Sequence, residues 1–320
     1  MPAISCSAPG KIILCGEHAV VYGKPAIAIP VFNAKTKCTI IARPTANNDE
    51  TIITAPNIAL KCNLSCLIET HPIRATIMGV LDYLHLDHLP VCEIQIHSSL
   101  PTAAGMGSSA STSVAMIRAL STFLGHPLEN EVVNQIAFEI EKIHHGSPSG
   151  IDNTVVTYEK PLFFQKGQAF ELLNFKHPIT FLIADSGIKS STAKVVEEVR
   201  QHYMVDPQKF ENLFEHVGQL SLSIKNALEN GNLLEVGRFM VQNQFVLKEM
   251  GVSCPTLDHL VDTSMQNGAI GAKLSGGGQG GNIIALVELQ EAERISEALK
   301  SAGAVNVLTS QVPAQGTANA

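Results

Sequence analysis

Apolar and polar residues along this chain fall into two registers, alternation by two and recurrence by three or four, and the registers predict its elements. Residues 4–15 and 26–43 read as strands, with Ala26-Ile27-Ala28-Ile29 and Cys38-Thr39-Ile40-Ile41 as β-rich centres. A polar loop, Gly16 to Pro25, joins them, and a Pro/Asn/Asp loop follows at 44–50. Ile73, Ile77, Val80, Leu81 and Leu84 share one face of a predicted helix over 70–86. From Cys92 to His97, Ile94 and Ile96 alternate with Glu93, Gln95 and His97, which predicts a strand. A small-residue loop, Leu100 to Ala110, then feeds a helix over Ser111 to Leu124 carrying Val114, Met116, Ile117 and Leu120. A further helix spans 129–144 with Val132, Ile136, Ile140 and Ile143 as its apolar stripe and Gly146 as its stop. Ser147 to Asp152 reads as a tight turn, Thr154 to Tyr158 as a strand, and Phe163 to Gln165 as its continuation in the sheet.

The pattern changes near His177-Pro178, which sets an expected division into domains 1–177 and 178–313. Ile179 to Ala184 reads as a strand, and Asp185 to Thr192 as a polar loop. Helices follow near 192–203, 207–229, 232–249 and 256–266. Strands 269–274 and 282–288 flank a glycine cluster, and a helix (290–302) and a strand (304–309) come last. Residues 314–320 are small and polar and are expected to be disordered. Strands and helices alternate irregularly and in a different order in the two halves, with no internal repeat. This favours two α+β domains over a doubly wound parallel sheet.

Composition narrows the partners. At 320 residues, 45% hydrophobic and 16% charged, the chain suits a compact globule with two cores. Its net charge of −7, without a basic stripe, argues against nucleic acid. A polyanionic ligand therefore needs a local positive pocket, because the global field repels it. No apolar run reaches the roughly 18 residues of a membrane span, and Met1 to Gly10 lacks a signal-peptide layout. Seven scattered cysteines, an odd number, read as reduced thiols in a cytoplasm. Cys62 and Cys66 with His71 lack a second ligand pair at zinc-finger spacing.

Candidate chemistry lies in four places. In Leu100-Pro101-Thr102-Ala103-Ala104-Gly105-Met106-Gly107-Ser108-Ser109-Ala110, two glycines permit close backbone approach, and two hydroxyls meet the free N–H groups of a helix start. That is an anion site suited to phosphate, or an ordinary Ser-capped helix after a turn. Gly16 and Gly23-Lys24 fail as a Walker A loop, since six residues separate the glycines and Pro25 stands at the Ser/Thr position. Gly276 to Gly281 matches G-x-G-x-x-G formally, but a β-branched run rather than a helix follows it. It reads instead as a glycine hairpin built for close approach to a ligand or another loop. Lys11, normally a surface group, follows Pro9-Gly10. Glu141 competes with Glu139 on the 129–144 helix, beside His144 and His145, which read as helix-end cations. Asp152 sits in a turn where a carboxylate often serves only local N–H groups. Each is weak alone; together they are the parts of a small-molecule kinase.

With these residues gathered, the chain resembles the GHMP kinase superfamily, and within it the mevalonate kinase family, over almost its full length. Three motifs carry the likeness. One is Ser7-Ala8-Pro9-Gly10-Lys11 running into Gly16-Glu17-His18-Ala19-Val20-Val21-Tyr22-Gly23-Lys24-Pro25-Ala26. Another is the 101–110 loop, similar to P-x-x-x-G-L-G-S-S-A with Met106 for Leu. The last is Lys273-Leu274-Ser275-Gly276-Gly277-Gly278-Gln279-Gly280-Gly281. His145 to Asn153 resembles the family's H-G-x-P-S-G-x-D-N, and Asp185 to Thr192 its bacterial branch. The galactokinase E-H-T-D-type segment is absent.

The resemblance implies an S5-like N-terminal domain and a ferredoxin-like C-terminal domain, with the active site in the cleft. It implies ATP as co-substrate, Mg²⁺, and phosphorylation of the mevalonate C5 hydroxyl in isoprenoid biosynthesis by a monomer or homodimer. Pro101, Gly105, Met106, Gly107, Ser108, Ser109, Gly276 and Gly277 would line the ATP phosphates; Ser109 and Glu141 would bind Mg²⁺. Asp152 would orient or deprotonate the hydroxyl, with Lys11 keeping it ionised. Glu17, His18 and Thr192 would lie near mevalonate. A member that only senses its ligand would be expected to lose Asp152 or Lys11, and both are present.

Overall fold

Two long strands begin the chain, β1 (Ala3–Cys15) and β2 (Ala26–Ala42), and each pairs with the other. The computed structural model describes residues 3–44, 50–100, 105–145 (without the side chains of 144 and 145) and 148–314. Pro101, Gly146, Ser147 and residues 315–320 of the expected tail lie outside the described residues. Two compact units form. One comprises Met1–Gly10, Ala34–Pro101 and Gly107–Glu159; the other comprises Lys11–Asn33, Thr102–Met106 and Lys160–Ala320. The expected division cuts the chain once, at 177/178, whereas these units share both β1 and β2.

In the first unit, Thr36–Ala42 of β2 pairs antiparallel with β5 (Cys92–Ser98). That strand pairs parallel with β3 (Ile52–Ala55), which pairs antiparallel with β4 (Leu60–Asn63). The inward residues Ile40, Ile53 and Ile94 meet Ile77 and Val80 of α1 (Pro72–Leu84) and Val114, Ile117 and Leu120 of α2 (Ser108–Phe123) in one core. Pro72 starts α1 where a missing N–H costs nothing, and the His71 ring accepts from Ile73 N at 3.3 Å. Next comes α3 (Asn130–His145), buried through Val133, Ile136, Ala137 and Ile140. Ile143, expected on that stripe, is 44% exposed.

Residues 154–158, expected as a strand, belong to a helix, α4 (Ile151–Tyr158). Thr154, Val155, Val156 and Thr157 carry strand propensity, but their burial against α2 and α3 overrides it. Gly150, in the left-handed conformation, caps the helix start, and Thr154 Oγ1 donates back to its carbonyl at 2.6 Å. Asp152 is thereby moved from a turn into a helix's first turn, where a carboxylate suits the dipole.

In the second unit, Ala26–Ala28 of β2 pairs with β6 (Leu162–Phe164), which pairs with β7 (Glu171–Leu172). A separate antiparallel sheet has the order β11-β8-β10-β9, from β8 (Ile179–Asp185), β9 (Gly271–Ser275), β10 (Asn282–Val287) and β11 (Asn306–Val312). The helices of this unit are α5 (Thr192–Val205), α6 (Pro207–Asn230), α7 (Leu233–Glu249), α8 (Pro255–Gln266) and α9 (Ala292–Ser301). These follow the expected order. Asp206 and Asn232 cap α6 and α7 by accepting from Lys209 N and Glu235 N, each at 3.2 Å. Among the described residues no helix is long and apolar enough to cross a membrane.

Candidate functional site

The first unit carries a hydroxyl, two carboxylates and an open helix start. Gly107, at φ 66°, turns the chain into α2 without a side-chain cap, so Ser108 and Ser109 open the helix beside N–H groups that no cap takes. Ser111, one turn in, is spent on structure: its hydroxyl donates to Ala8 O at 2.8 Å and accepts from Thr36 N at 3.3 Å. Ser109 Oγ instead donates to Glu141 Oε1 at 2.5 Å. Glu141 is 2% exposed on α3, whereas Glu139 is a surface carboxylate paired with Lys142 at 2.6 Å. Burial thus separates two acids that helical spacing alone left in competition. Hard oxygen donors of this kind fit Mg²⁺, which is bound through a few protein oxygens and keeps several waters. Asp152 lies half-buried on α4, beside Asn153, whose amide donates to Asn134 Oδ1 at 2.6 Å.

The second unit holds the other expected residues. Lys11 is 6% exposed on β1, and its backbone N donates to the carbonyl of the buried Met106 at 3.0 Å. Gly105 precedes it, with no described residue close to where a side chain would start. Glu17 and His18 follow β1 and are 3% and 5% exposed. Glu17 Oε1 is ion-paired with Lys273 Nζ on β9, whose ammonium also donates to Leu274 O at 2.5 Å. Burial pushes the Glu17 carboxyl above the ordinary carboxylate value, and Lys273 pulls it back.

His18 is hydrogen-bonded to the glycine hairpin. Its Nε2 lies 2.9 Å from Gly277 O, and a carbonyl only accepts, so Nε2 carries the proton. Burial lowers its pKa to about 4, which leaves the ring neutral at pH 7. Nδ1 is then an acceptor, and among the described residues neither it nor the equally buried Glu17 Oε2 has a hydrogen-bond partner. The hairpin itself is fixed at neighbouring residues: Ser190 Oγ donates to Gly278 O (2.6 Å), Gln279 N to Val252 O (2.7 Å) and Gly281 N to Ile188 O (2.9 Å). A Cβ on Gly277 would stand 3.1 Å from Thr192 Oγ1, so glycine there lets the hairpin meet the start of α5. Gly276 faces open space.

Lys273 is the residue that sequence reasoning left without a role. Its signal was a lysine between Ala272 and Leu274 in an apolar strand, but nothing local named a partner 256 residues away. Among the described residues no group of three or more His, Cys, Asp or Glu could hold a metal, so Cys62, Cys66 and His71 form no such cluster. Burial also raises the Cys15 thiol to about 12 and removes it as a nucleophile.

Residues 75–160 match the family described as GHMP kinases N terminal domain, and residues 224–305 match GHMP kinases C terminal. A mevalonate kinase of Pyrococcus horikoshii is 33% identical over 96% of this chain and 95% of its own length. A crystal structure of L. major mevalonate kinase in complex with R-mevalonate has a TM-score of 0.85 and 30% identity, covering 97% of this chain and 96% of that one. The Methanococcus jannaschii mevalonate kinase structure gives a TM-score of 0.85 at 27% identity, over 98% and 99% of the two chains. The fold is the two-domain, mixed α and β fold of the GHMP kinases, and the chain belongs to the mevalonate kinase family.

Proposed function

We propose that this chain transfers the γ-phosphoryl group of ATP to the C5 hydroxyl of mevalonate, giving 5-phosphomevalonate for isoprenoid biosynthesis. The observation that carries this reading is near-full-length kinship with mevalonate kinases, one of them solved with R-mevalonate bound. The backbone from Gly105 to Ser109 and the open start of α2 receive the ATP phosphates, since uncapped N–H groups and the helix dipole favour anions. Gly276, with no described atom where a side chain would start, leaves the hairpin backbone accessible to them, and Gly277 next to it brings the hairpin close to Thr192. Ser109 and Glu141 hold Mg²⁺, which when bound neutralises charge on the phosphate oxygens.

Glu17, His18 and Thr192 hold mevalonate, and the unpartnered Glu17 Oε2 and His18 Nδ1 suit hydroxyl donors. Asp152 orients the C5 hydroxyl and takes its proton as the oxygen bonds to the γ-phosphorus and the bond to the β-phosphate oxygen breaks, releasing ADP. Lys11 offsets charge that builds on the transferring group. The reading is of a cytoplasmic monomer or homodimer without a nucleic-acid or membrane partner. The net charge of −7 speaks against nucleic acid, and the scattered, odd-numbered cysteines fit a reducing compartment.

The test is ADP release with Mg-ATP against mevalonate, phosphomevalonate, homoserine and galactose. Turnover with mevalonate alone is expected, and Asp152→Asn should lower kcat by about 10²-fold or more with the fold intact. Turnover with a different alcohol would keep the kinase chemistry and move the substrate. ATP binding without any turnover would make the chain a sensor.

A further inference from the structure

Lys273 is a buried charge to which the mechanism above gives no part. Its side chain is 0% exposed and that of its partner Glu17 is 1% exposed. Taking two ions out of water costs about as much as their attraction returns, so an apolar pair of the same volume would stabilise the fold about as well. Stability alone is therefore a poor reason for an ion pair here.

Its position supplies a better reason. Glu17 immediately precedes His18, and Lys273 lies on β9 just before the hairpin that contains Gly277. The Glu17–Lys273 pair and the His18–Gly277 hydrogen bond thus tie the 16–18 turn to β9 and its hairpin at two adjacent levels. Ser275 Oγ, donating to Ile13 O at 2.7 Å, adds a tie on the approach to that turn. Lys273 takes Glu17 Oε1 and leaves Oε2, and His18 Nε2 takes the hairpin carbonyl and leaves Nδ1. Two acceptors on consecutive residues are held buried with no partner among the described residues, each oriented by what its other atom binds.

We propose that Lys273 is a positioning residue for the alcohol substrate. Acting through Glu17, it fixes the carboxylate oxygen and the neighbouring imidazole nitrogen that accept the alcohol's hydroxyl groups. This rests on the kinase reading above. The role is confined to holding the acceptor alcohol, so its loss shows in the alcohol's KM more than in that of ATP.

The experiment measures kcat, both KM values and Tm for the wild type, Lys273→Met, Lys273→Arg and the double variant Lys273→Met with Glu17→Gln. For Lys273→Met, the mevalonate KM should rise at least tenfold while the ATP KM stays within twofold. Lys273→Arg, which keeps the charge, should recover most of that loss. The double variant removes the stranded carboxylate, so its Tm should exceed that of Lys273→Met while its mevalonate KM stays high. A variant with lowered Tm and unchanged KM values would mark Lys273 as structural and overturn the proposal. Should Lys273→Met fail to fold, the double variant decides, and a normal mevalonate KM there overturns it equally. A wild type that does not turn over mevalonate sinks the kinase reading and this role together; turnover with indifferent variants sinks this role alone.

Discussion

Glu139 and Glu141 stand two positions apart on α3 and live in different media. Glu139 is solvated and spends its charge on Lys142; such an exposed pair is worth about 0–1 kcal/mol. Glu141 is buried and receives the Ser109 hydroxyl. Glu141→Gln should therefore raise the Mg²⁺ concentration for half-maximal rate at least tenfold, with Glu139→Gln within twofold of wild type. Mg²⁺ titration of initial rates reads this directly, and equal effects would take Glu141 out of the metal site. At this scale the sequence offered types and spacings: Lys11, Glu17, His18, Ser109 and Asp152 stand out as residues in motifs. It could not offer burial. That is why Glu141 needed the family likeness to be preferred over Glu139, and why the Glu17–Lys273 pair, joined across 256 residues, went unread.

Elements were legible where local preference and tertiary packing agree. The amphipathic run of α1, the helices α6 and α7, and the strands around the glycine hairpin all follow from periodicity and turn chemistry. α4 was not legible, because Thr154 to Thr157 is a β-branched run whose helical state is decided by α2 and α3. Another decision hidden from periodicity is the contact between α7 and β9. Gly237 on the helix faces Gly271 on the strand, and a Cβ on Gly237 would run into the Ile270 carbonyl. In an exposed helix Gly→Ala would stabilise by about 1 kcal/mol. Here Gly237→Ala should instead destabilise by about 1–3 kcal/mol, as overpacking does. The midpoint of urea unfolding checks the sign, and a stabilised variant would mean that α7 shifts freely on the sheet.

At the scale of the whole chain, the unit that contains residues 160–314 is completed by Lys11–Asn33. That segment gives it Glu17, the counter-charge of Lys273; His18, the donor to Gly277 O; Tyr22, stacked on Phe214 with centroids 4.0 Å apart; and Ala26–Ala28, the partner of β6. None of this discontinuity shows in composition, which shifts only near residue 177, because a strand's allegiance is set by its neighbours in space. A fragment covering residues 160–314 keeps its four-stranded sheet and five helices in sequence, yet Lys273 would be stranded as a buried charge. Removing one partner of a buried pair costs about 3–5 kcal/mol, and the bared Phe214 face and β6 edge add to it. Against a total stability of about 5–15 kcal/mol for a domain, that loss is decisive. The fragment should therefore show helical far-UV circular dichroism without a cooperative urea transition. Lys273→Met should restore part of the transition, because it removes the charge but replaces neither the stacked ring nor the strand. Cooperative unfolding of the unaltered fragment, with amide protection across β8, β9 and β10, would show that the 11–33 segment decorates this unit rather than completes it.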